Sequence, residues 1–381
     1  MKTKIIAYSV GRSDIDRYSP ILNYLHNHSS INLKVVGSYL HYLSIFGETF
    51  TYLKKFNLIK RNLKKQNIDD PNLIASNLGN EIKILSKIFK KENPHIVVVL
   101  GDRYEMIAAP LAAIPFNIPL VHFYGGSLTF GAIDEQIRHA ITKMCHLHFT
   151  AHEDYSKRII KMGEEKWRVN TIGIINLKDL KSQKIYTNNQ IRKKLGLDLK
   201  NKTLLVTLHP TTLDNMNLKK NLITLLKSIK DTKFQAIFTY PNSDYGYKTI
   251  IKLVQKFCKS SKKFIFLKNS SIDLYPSLMK KCYAMIGNSS SGIVESGTFQ
   301  LPVINIGSRQ DGKVMGNNVI NCNFDYNEIM KAFDLIASKK FKKSLKKFKN
   351  PYEKNFSLKK IKDLILNCKN NKKILNKKFI D

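Results

Sequence analysis

Ile96-Val97-Val98-Val99-Leu100-Gly101-Asp102-Arg103 is the stretch that decides the fold. Its first five residues are all apolar, which is typical of a strand buried on both faces of a parallel sheet. The run ends at Gly-Asp-Arg, and residues Tyr104–Phe116 then have the spacing of a helix. A strand followed directly by a helix is the repeating unit of α/β proteins, whose sheets are parallel and doubly wound.

The same unit recurs on both sides of this stretch. In the first half, apolar runs predict further strands at Lys4–Val10, Leu33–Ser38, Pro119–Phe123 and Leu147–Thr150. A second series predicts strands at Thr203–Leu208, Gln235–Thr239, Phe264–Leu267, Ala284–Gly287 and Val303–Ile306. We therefore predict two Rossmann-like domains at 1–175 and 201–340, a polar linker at 176–200, and a basic helical segment at 341–381. This is the GT-B arrangement, in which two doubly wound parallel sheets face a cleft.

Composition narrows the classes of partner. The chain has a formal net charge of +35, which comes almost entirely from lysines spread along its length. Because no nucleic-acid-binding motif accompanies that charge, we expect no nucleic-acid partner, and we expect the positive field to attract a small anionic ligand. Charged residues interrupt the apolar run that begins at Ile96, and no signal peptide is visible, so we expect a cytoplasmic protein with no membrane partner. The five cysteines lack metal-ligand spacing, so no metal site is expected.

The most informative polar segment is Gly287-Asn288-Ser289-Ser290-Ser291-Gly292, which follows a predicted strand and opens a helix. Small residues let the backbone approach a ligand, and the N–H groups at a helix start favour a phosphate. Glu295 lies one turn further on and could accept hydrogen bonds from ribose hydroxyls. The alternative is an ordinary serine cap followed by a flexible turn.

Other polar residues also follow predicted strands, where ligands bind in sheets of this kind. Asp102 is either a positioned base or a helix cap, and Asp134 precedes a helix whose dipole favours an acid in any case. Arg12 follows the first strand and could meet an anion. In the second half the corresponding candidates, each after a strand, are His209, Asn242 and Arg309.

Three longer stretches carry a resemblance to a known family. They are GDRYEM at 101–106, GAIDEQIRHAITKMCHLHF at 131–149 and IGNSSSGIVESGTFQLPVINIGSRQ at 286–310. With them the chain resembles the hydrolysing UDP-N-acetylglucosamine 2-epimerases, which supply sialic- and legionaminic-acid-type pathways. The likeness runs from Arg12 to about Ser357.

The resemblance implies a role for each candidate residue. Ser289 and Ser290 would bind the diphosphate and Glu295 the ribose, with Arg12 and Arg309 near the phosphate groups. The sugar site would be lined by Asp102, Arg103, Asp134 and His209, and of these Asp102, Asp134 and His209 would be the catalytic residues. It also implies that the enzyme needs no cofactor or metal and forms a homodimer or homotetramer.

The implied reaction has two halves. A base removes the C2 proton while UDP leaves C1, which gives a 2-acetamidoglucal. Water then adds to C1 and a proton reaches the opposite face of C2, so UDP-N-acetylglucosamine yields N-acetylmannosamine and UDP. Because the C2 proton is not strongly acidic, much of the lowering of the activation barrier must come from stabilisation of the leaving group.

One motif departs from the family pattern. Many relatives carry a Glu at the end of a strand or after the following glycines, whereas this chain has His122-Phe123-Tyr124-Gly125-Gly126-Ser127. The proton-transfer residue is therefore open between Tyr124, which we also count among the substrate-binding residues, His122, Asp134 and Asp102. The departure also fits a different substrate, such as a UDP-linked diacetylated 4-amino sugar or a GDP-sugar. The sequence is also compatible with a non-hydrolysing epimerase, a GT-B glycosyltransferase or a non-catalytic basic binding protein.

Overall fold

The computed structural model describes residues 2–44, 47–61, 71–130, 132–211, 217–242, 244–268 and 274–381. The strands of these residues are β1 (Thr3–Ser9), β2 (Ile31–Gly37), β3 (Ile96–Leu100), β4 (Leu120–Phe123), β5 (Leu147–Thr150), β6 (Val169–Thr171), β7 (Thr203–Thr207), β8 (Gln235–Thr239), β9 (Phe264–Leu267), β10 (Ala284–Gly287), β11 (Val303–Ile306) and β12 (Val319–Cys322). The α-helices are α1 (Arg12–His26), α2 (Pro71–Glu92), α3 (Ala108–Ala113), α4 (Asp134–Met144), α5 (Glu153–Lys161), α6 (Leu177–Ser182), α7 (Asn188–Leu195), α8 (Leu218–Asp231), α9 (Tyr247–Cys258), α10 (Leu274–Lys281), α11 (Ser290–Val294), α12 (Tyr326–Ala337), α13 (Lys339–Lys346) and α14 (Leu358–Asn370). Short 3-10 helices lie at Tyr39–Tyr42, Thr49–Phe56, Tyr104–Ile107, Ile114–Phe116, Lys166–Arg168, Ser296–Phe299 and Ser308–Gln310.

These residues pack as two compact units. The first comprises Met1–Ser127, Ile133–Asn176 and Lys354–Asp381, and the second comprises Leu128–Ala132 and Leu177–Glu353. The C-terminal residues thus return to the first unit, whereas the sequence suggested a separate basic segment at 341–381. Side-chain hydrogen bonds explain the return, because the buried Arg168 donates to the backbone carbonyls of Lys373, Ile374 and Asn376.

The first unit holds a parallel six-stranded sheet in the order β2-β1-β3-β4-β5-β6. The direction of winding changes between β1 and β3, since β2 lies on one side of β1 and all later strands lie on the other. Ligands of such sheets bind at this switch point, outside the carboxyl ends of the strands. The loops that begin at Val10 and Gly101 follow these two strands, so the topology brings the residues after both of them to one place.

The second unit repeats the design with the order β12-β11-β10-β7-β8-β9. Here the switch point lies between β7 and β10, so the segments that begin at Leu208 and Asn288 meet. Leu204 and Val206 of β7 join one core with α8, α9 and α12, while Leu205 joins another with α7 and α10. Burial on both faces is the reason that Leu204, Leu205 and Val206 form a continuous apolar run.

The predicted α/β class with parallel sheets is confirmed, and each predicted strand exists to within a few residues. The sequence did not predict β6 and β12, which are short edge strands of mixed polarity. The polar segment 176–200 contains α6 and α7, and α7 begins with a capping box formed by Thr187 and Gln190. Within the described ranges, no helix is both long enough and apolar enough to cross a membrane.

Candidate active site

The first group of candidate residues lies beyond the end of β3, where Asp102 contacts Arg138. The Nε atom of Arg138 donates to Oδ2 of Asp102 at 3.0 Å, and a second donor of the same guanidinium contacts the same oxygen. The side chain of Arg138 is fully buried, while that of Asp102 keeps 31% of its surface exposed. The carboxylate of Asp102 therefore contacts a buried cation, and part of its remaining surface is accessible.

Arg138 also organises α4. It donates to Oε2 of Glu135 at 2.7 Å and to the carbonyl oxygen of Ser127 at 2.8 Å. Burial alone would lower the pKa of Arg138, but the carboxylates of Asp102, Glu135 and Asp134 raise it above its usual value, so the group stays charged. Asp134 is the first residue of α4 and is mostly buried. Sequence reasoning did not select Arg138, although its spacing of four residues from Asp134 places both on one face of the helix.

His122 supports the backbone immediately before Asp102. Its Nε2 atom lies 2.8 Å from the carbonyl oxygen of Gly101, which can only accept, so Nε2 carries the proton. The Nδ1 atom lies 3.3 Å from the hydroxyl of Thr142 on α4. Burial lowers the pKa of His122 to about 3. His122 is thus a neutral, fully buried histidine with both nitrogens engaged, which argues against its substitution for the missing Glu.

Tyr124 occupies a strained position at the end of β4. Its φ of 65° lies in the left-handed region, which non-glycine residues seldom adopt. Its backbone N–H donates to the carbonyl of Phe149 at 2.6 Å, and its hydroxyl accepts the N–H of Ile175 at 3.3 Å. The next two residues need to be glycine, because a Cβ on Gly125 would lie 2.8 Å from His122 and one on Gly126 would lie 2.4 Å from the carbonyl oxygen of Tyr155.

Arg12 and Arg103 lie at the same switch point. Arg12 is the first residue of α1, and its neighbour Asp14 accepts the N–H of Val10 at 2.7 Å. Burial raises the pKa of Asp14 to about 6, although backbone hydrogen bonds and the charge of Arg103 act to lower it. Arg103 pairs with the fully buried Glu105, at 3.2 Å and 3.3 Å. The first group therefore contains three arginines, counting Arg138, and the predicted acids Asp102 and Asp134.

The second group lies in the second unit, where His209 meets the turn after β10. The N–H of His209 donates to Oδ1 of Asn288 at 2.7 Å, and Nδ2 of Asn288 donates back to the carbonyl of His209 at 2.9 Å. Nδ1 of His209 accepts the main-chain N–H of Asn242 at 3.0 Å. The opposite ring nitrogen, Nε2, lies 3.4 Å from Oγ of Ser289. His209, Asn242 and Ser289, each predicted from sequence, are thus brought together.

A chain of hydroxyls begins at Ser289, the N-cap of α11. Oγ of Ser289 accepts the N–H of Ser291 at 3.3 Å and lies 3.1 Å from its hydroxyl. That hydroxyl lies 2.6 Å from the hydroxyl of Tyr275, which sequence reasoning did not select. Ser290 is the first residue of α11 and Glu295 follows its last residue.

Arg309 lies in the turn after β11 and is the last member of this group. Its guanidinium donates to the carbonyl of Asn288 at 3.3 Å, and the amide of the buried Gln310 donates to the same oxygen at 2.7 Å. A second nitrogen of Arg309 lies 4.0 Å from Asp244. The arrangement holds a cation beside the serine turn, which suits an anionic group such as a phosphate.

The structure thus gathers the predicted residues into two sets, one in each unit. Asp102, Arg103, Asp134, Tyr124 and Arg12 belong to the first unit, and the others belong to the second. Among the described residues, no cluster of three or more His, Cys, Asp or Glu side chains is arranged to hold a metal ion.

Comparison with known proteins shows the family of the chain. A family model described as UDP-N-acetylglucosamine 2-epimerase matches residues 23–366. The chain belongs to this family. The family resemblance that the sequence motifs indicated is therefore confirmed.

Two relatives of the family are similar over most of their length. A Campylobacter jejuni protein named GDP/UDP-N,N'-diacetylbacillosamine 2-epimerase (hydrolyzing) is 38% identical, covering 100% of this chain and 99% of the relative. A Legionella pneumophila UDP-N,N'-diacetylbacillosamine 2-epimerase (hydrolyzing) is 31% identical, covering 87% of this chain and 88% of the relative.

A solved structure shares the fold. The UDP-GlcNAc 2-epimerase of Neisseria meningitidis bound to UDP-GlcNAc superimposes with a TM-score of 0.81 at 19% identity, covering 96% of this chain and 100% of that one. The predicted GT-B type of α/β fold is confirmed by this likeness together with the two parallel sheets.

Proposed function

We propose that the protein is a hydrolysing 2-epimerase that converts a UDP-linked 2-acetamido sugar into the free sugar with inverted C2, and UDP. The observation that carries the proposal is the ion pair between Asp102 and the buried Arg138. This pair lies at the switch point of the sheet in the first unit. It supplies an ionised, partly accessible carboxylate, which proton abstraction at C2 requires. A glycosyltransferase would need an acceptor, and the relatives named above are hydrolysing epimerases.

In the first half-reaction, we assign Asp102 as the base that takes the C2 proton. The C2–H electron pair forms the C1–C2 double bond, and the C1–O bond breaks with its electrons going to the diphosphate of UDP. Arg138 keeps the carboxylate ionised and oriented, because two of its donors contact the same oxygen. Arg138 is a positioning residue in this scheme, since its side chain is fully buried.

We assign the diphosphate to the second set of residues. Donors aimed at charge that develops on a leaving group are an effective way to lower such a barrier. Nε2–H of His209, the hydroxyls of Ser289 and Ser290, and the guanidinium of Arg309 are the donors that we place there. In the same set, Glu295 accepts from the ribose and Asn242 fixes His209.

In the second half-reaction, a side chain gives a proton to the opposite face of C2, water bonds through its oxygen to C1, and the proton that this water loses restores the donor. Tyr124 and Asp134 are the donors that we retain, because both nitrogens of His122 are already engaged. The Tyr124 hydroxyl accepts an N–H from Ile175, and a phenol that accepts one hydrogen bond can also act as a proton donor. Tyr124→Phe and Asp134→Asn separate the two, since the true donor is needed for deuterium to enter C2 of the free sugar.

We further propose that the sugar is N,N'-diacetylbacillosamine, a 2,4-diacetamido sugar. Both relatives described above carry this sugar in their names. The absence of the usual Glu from His122–Ser127 fits a sugar other than N-acetylglucosamine. UDP-N-acetylglucosamine is the second candidate, because the family description names it. The product would supply a sialic- or legionaminic-type acid.

A substrate panel tests this proposal. Purified protein is given UDP-N,N'-diacetylbacillosamine, its GDP counterpart or UDP-N-acetylglucosamine, and kcat/KM is measured from nucleotide release. We expect the first substrate to be preferred by at least about 10-fold, since a lost polar contact costs more than about 1.4 kcal/mol. Preference for UDP-N-acetylglucosamine would overturn the sugar assignment, and release only with an added acceptor would overturn the reaction.

A further inference from the structure

Glu295, to which the ribose is assigned above, lies between two short helices. It follows Val294, the last residue of α11, and it precedes the 3-10 helix Ser296–Phe299. Helices of five and four residues gain little stability from their own hydrogen bonds. Glu295 is only partly buried. The position of its carboxylate therefore depends on what holds the backbone on either side of it.

One side chain from a later part of the chain holds both sides. Nδ2 of Asn350 donates to the carbonyl oxygen of Val294 at 2.7 Å and to the hydroxyl oxygen of Thr298 at 2.9 Å. The last carbonyl groups of a helix have no N–H partner within it. Asn350, which lies 56 positions after Val294, supplies a donor to one of them. The two acceptors lie before and after Glu295 in the sequence, so this amide spans the residue.

The orientation of the Asn350 amide is fixed by its partners. The main-chain N–H of Tyr352 donates to Oδ1 of Asn350 at 3.0 Å. A main-chain N–H can only donate and a main-chain carbonyl can only accept, so the two ends of the amide cannot be exchanged. The turn is anchored in its place, because the hydroxyl of the buried Tyr352 donates to the carbonyl of Val314 at 2.7 Å.

Close packing around this amide supports the same role. Asn350 is 5% exposed, and Gly297 beside it is buried. A Cβ on Gly297 would lie 2.8 Å from the ring of Phe348 and 3.2 Å from Cγ of Asn350. A larger residue at this position would therefore displace the ring or the amide, so glycine permits the approach of Asn350 to the backbone around Glu295.

The amino end of α11 is held by different contacts. Asn288 pairs with His209 through both polar atoms of its amide, and its carbonyl accepts from Arg309. These contacts lie at the opposite end of the helix from Asn350. A change at Asn350 should therefore act on Glu295 and leave the donors that we assign to the diphosphate in place.

We propose that Asn350 is a positioning residue, which holds Glu295 where its carboxylate accepts hydrogen bonds from the ribose hydroxyls of the nucleotide. The inference rests on the ribose role proposed for Glu295 and adds the residue that supports it. An amide that only capped a helix would affect the binding of all nucleotide ligands alike. A positioning role instead affects the part of the affinity that comes from the ribose hydroxyls.

Calorimetry of the full chain with UDP and with 2′,3′-dideoxy-UDP tests the inference. We expect the wild type to bind UDP at least about 10-fold more tightly, because the dideoxy ligand lacks the hydroxyls that would bond to a charged group. Asn350→Ala should reduce this ratio to about 3-fold or less by weakening the binding of UDP alone. Asn350→Asp should do the same, since it places a carboxylate oxygen against the carbonyl of Val294. Asn201→Ala, at an exposed position of the same unit, is the control and should keep the wild-type ratio.

Thr298→Val provides a milder variant, for the case that the substitutions of Asn350 impair folding, which circular dichroism checks. It removes one acceptor of the Asn350 amide and should reduce the ratio in part. Glu295→Gln separates the inference from the proposal on which it rests. If Glu295→Gln keeps the wild-type ratio, or if the wild type shows no preference for UDP, the ribose assignment is overturned and the inference with it.

Two results would overturn the inference alone. One is a ratio that is lost in Glu295→Gln but kept in every folded variant of Asn350 and Thr298. The other is a weakening of UDP and 2′,3′-dideoxy-UDP by the same factor in those variants, which would show that Asn350 has only a structural role. A ratio that falls in Asn350→Ala, and falls no further when Glu295→Gln is added, would support the inference, because the two residues would then act as one unit.

Discussion

The main-chain N–H of Asn242 donates a hydrogen bond of 3.0 Å to Nδ1 of His209. A main-chain N–H can only donate, so Nδ1 is the acceptor and the neutral ring carries its proton on Nε2. Nε2 is also the nitrogen that lies 3.4 Å from Ser289 Oγ, at the start of α11. The ring is therefore fixed as a donor that serves the proposed diphosphate site, and it is not arranged to act as a base.

Two amide substitutions test this donor role. In His209→Asn, the amide oxygen can accept from Asn242 but the donor at the Nε2 position is lost, so we expect kcat for UDP release to fall about 100-fold. His209→Gln extends an amide further and should recover part of the rate. The measurement is steady-state UDP release for both variants. Equal losses in the two would argue that the position of the donor is unimportant.

The ion pair between Asp102 and Arg138 leads to a second prediction. Asp102→Asn keeps the shape of the side chain but removes the base, so we expect deuterium exchange at C2 and UDP release to fall together by more than about 1000-fold. UDP binding, measured by calorimetry, should change little, because the diphosphate is assigned to other residues. Asp334→Asn, at an exposed position of α12, is the control. An Asp102→Asn variant with wild-type exchange would remove Asp102 from the mechanism.

Much of the fold follows from local sequence. Continuous apolar runs such as Ile96–Leu100 predict strands, because a strand buried on both faces is apolar throughout. The residues that follow each predicted strand could then be selected as candidates for the site. The short edge strands β6 and β12 lack such a run and were missed. The return of Lys354–Asp381 to the first unit was missed as well, because it depends on contacts between residues that lie about 200 positions apart, such as Arg168 and Ile374.

The candidate site was only partly readable. The order of the strands in each sheet decides which strand ends are neighbours, and this order could not be predicted from the sequence. The meeting of His209 with Ser289 depends on β7 lying beside β10. Arg138 was not predicted, because the sequence alone does not show whether an arginine is buried or exposed. Tyr275 was missed because its role rests on a contact with Ser291 rather than on a motif.

His122 leads to a third prediction, which concerns the backbone beneath Asp102. His122→Gln keeps an N–H that can reach the Gly101 carbonyl, whereas His122→Leu leaves that oxygen without this donor. We expect the leucine variant to lose about 1–3 kcal/mol in free energy of unfolding. We also expect its kcat to fall further than that of the glutamine variant, because Asp102 follows Gly101 directly. Urea denaturation and UDP release measure these effects.

The same residue leads to a pH dependence. Burial lowers the pKa of His122 from 6.5 to about 3, so the folded protein keeps it neutral while the unfolded chain binds a proton below 6.5. Its contribution to stability is therefore lost as the pH falls from 6.5 towards 3, by up to about 1.4 kcal/mol per pH unit. His122→Gln should remove this part of the slope between about pH 6.5 and about pH 4. An unchanged slope would show that the folded state accommodates the protonated ring.

Lys377 leads to a fourth prediction, about the C-terminal tail. Its ammonium donates to Glu164 at 2.8 Å and to the carbonyls of Lys143 and Cys145 at 2.7 Å and 2.6 Å. Burial alone would raise the pKa of Glu164, but hydrogen bonds from His148, Lys143 and Lys377 lower it to about 2. Lys377→Met removes one of these donors and should cost about 2 kcal/mol of stability.

The single tryptophan provides the measurement for this variant. Trp167 precedes Arg168, which holds the tail, and its ring stacks under that guanidinium at 4.3 Å. Urea denaturation followed by tryptophan fluorescence should show a lower midpoint for Lys377→Met. Lys372→Met, at an exposed position of the same tail, is the control and should behave as the wild type. Equal midpoints for the two variants would contradict the structural role of the buried cluster.

The most direct measurement for the whole account is the reaction of UDP-N,N'-diacetylbacillosamine in deuterated, ¹⁸O-labelled water, followed by NMR and mass spectrometry. We predict free sugar with the opposite configuration and deuterium at C2, together with UDP that contains no ¹⁸O, because water attacks carbon rather than phosphorus. A nucleotide that stays attached to the sugar, a sugar released with protium and unchanged configuration at C2, or ¹⁸O in UDP would contradict elimination followed by hydration.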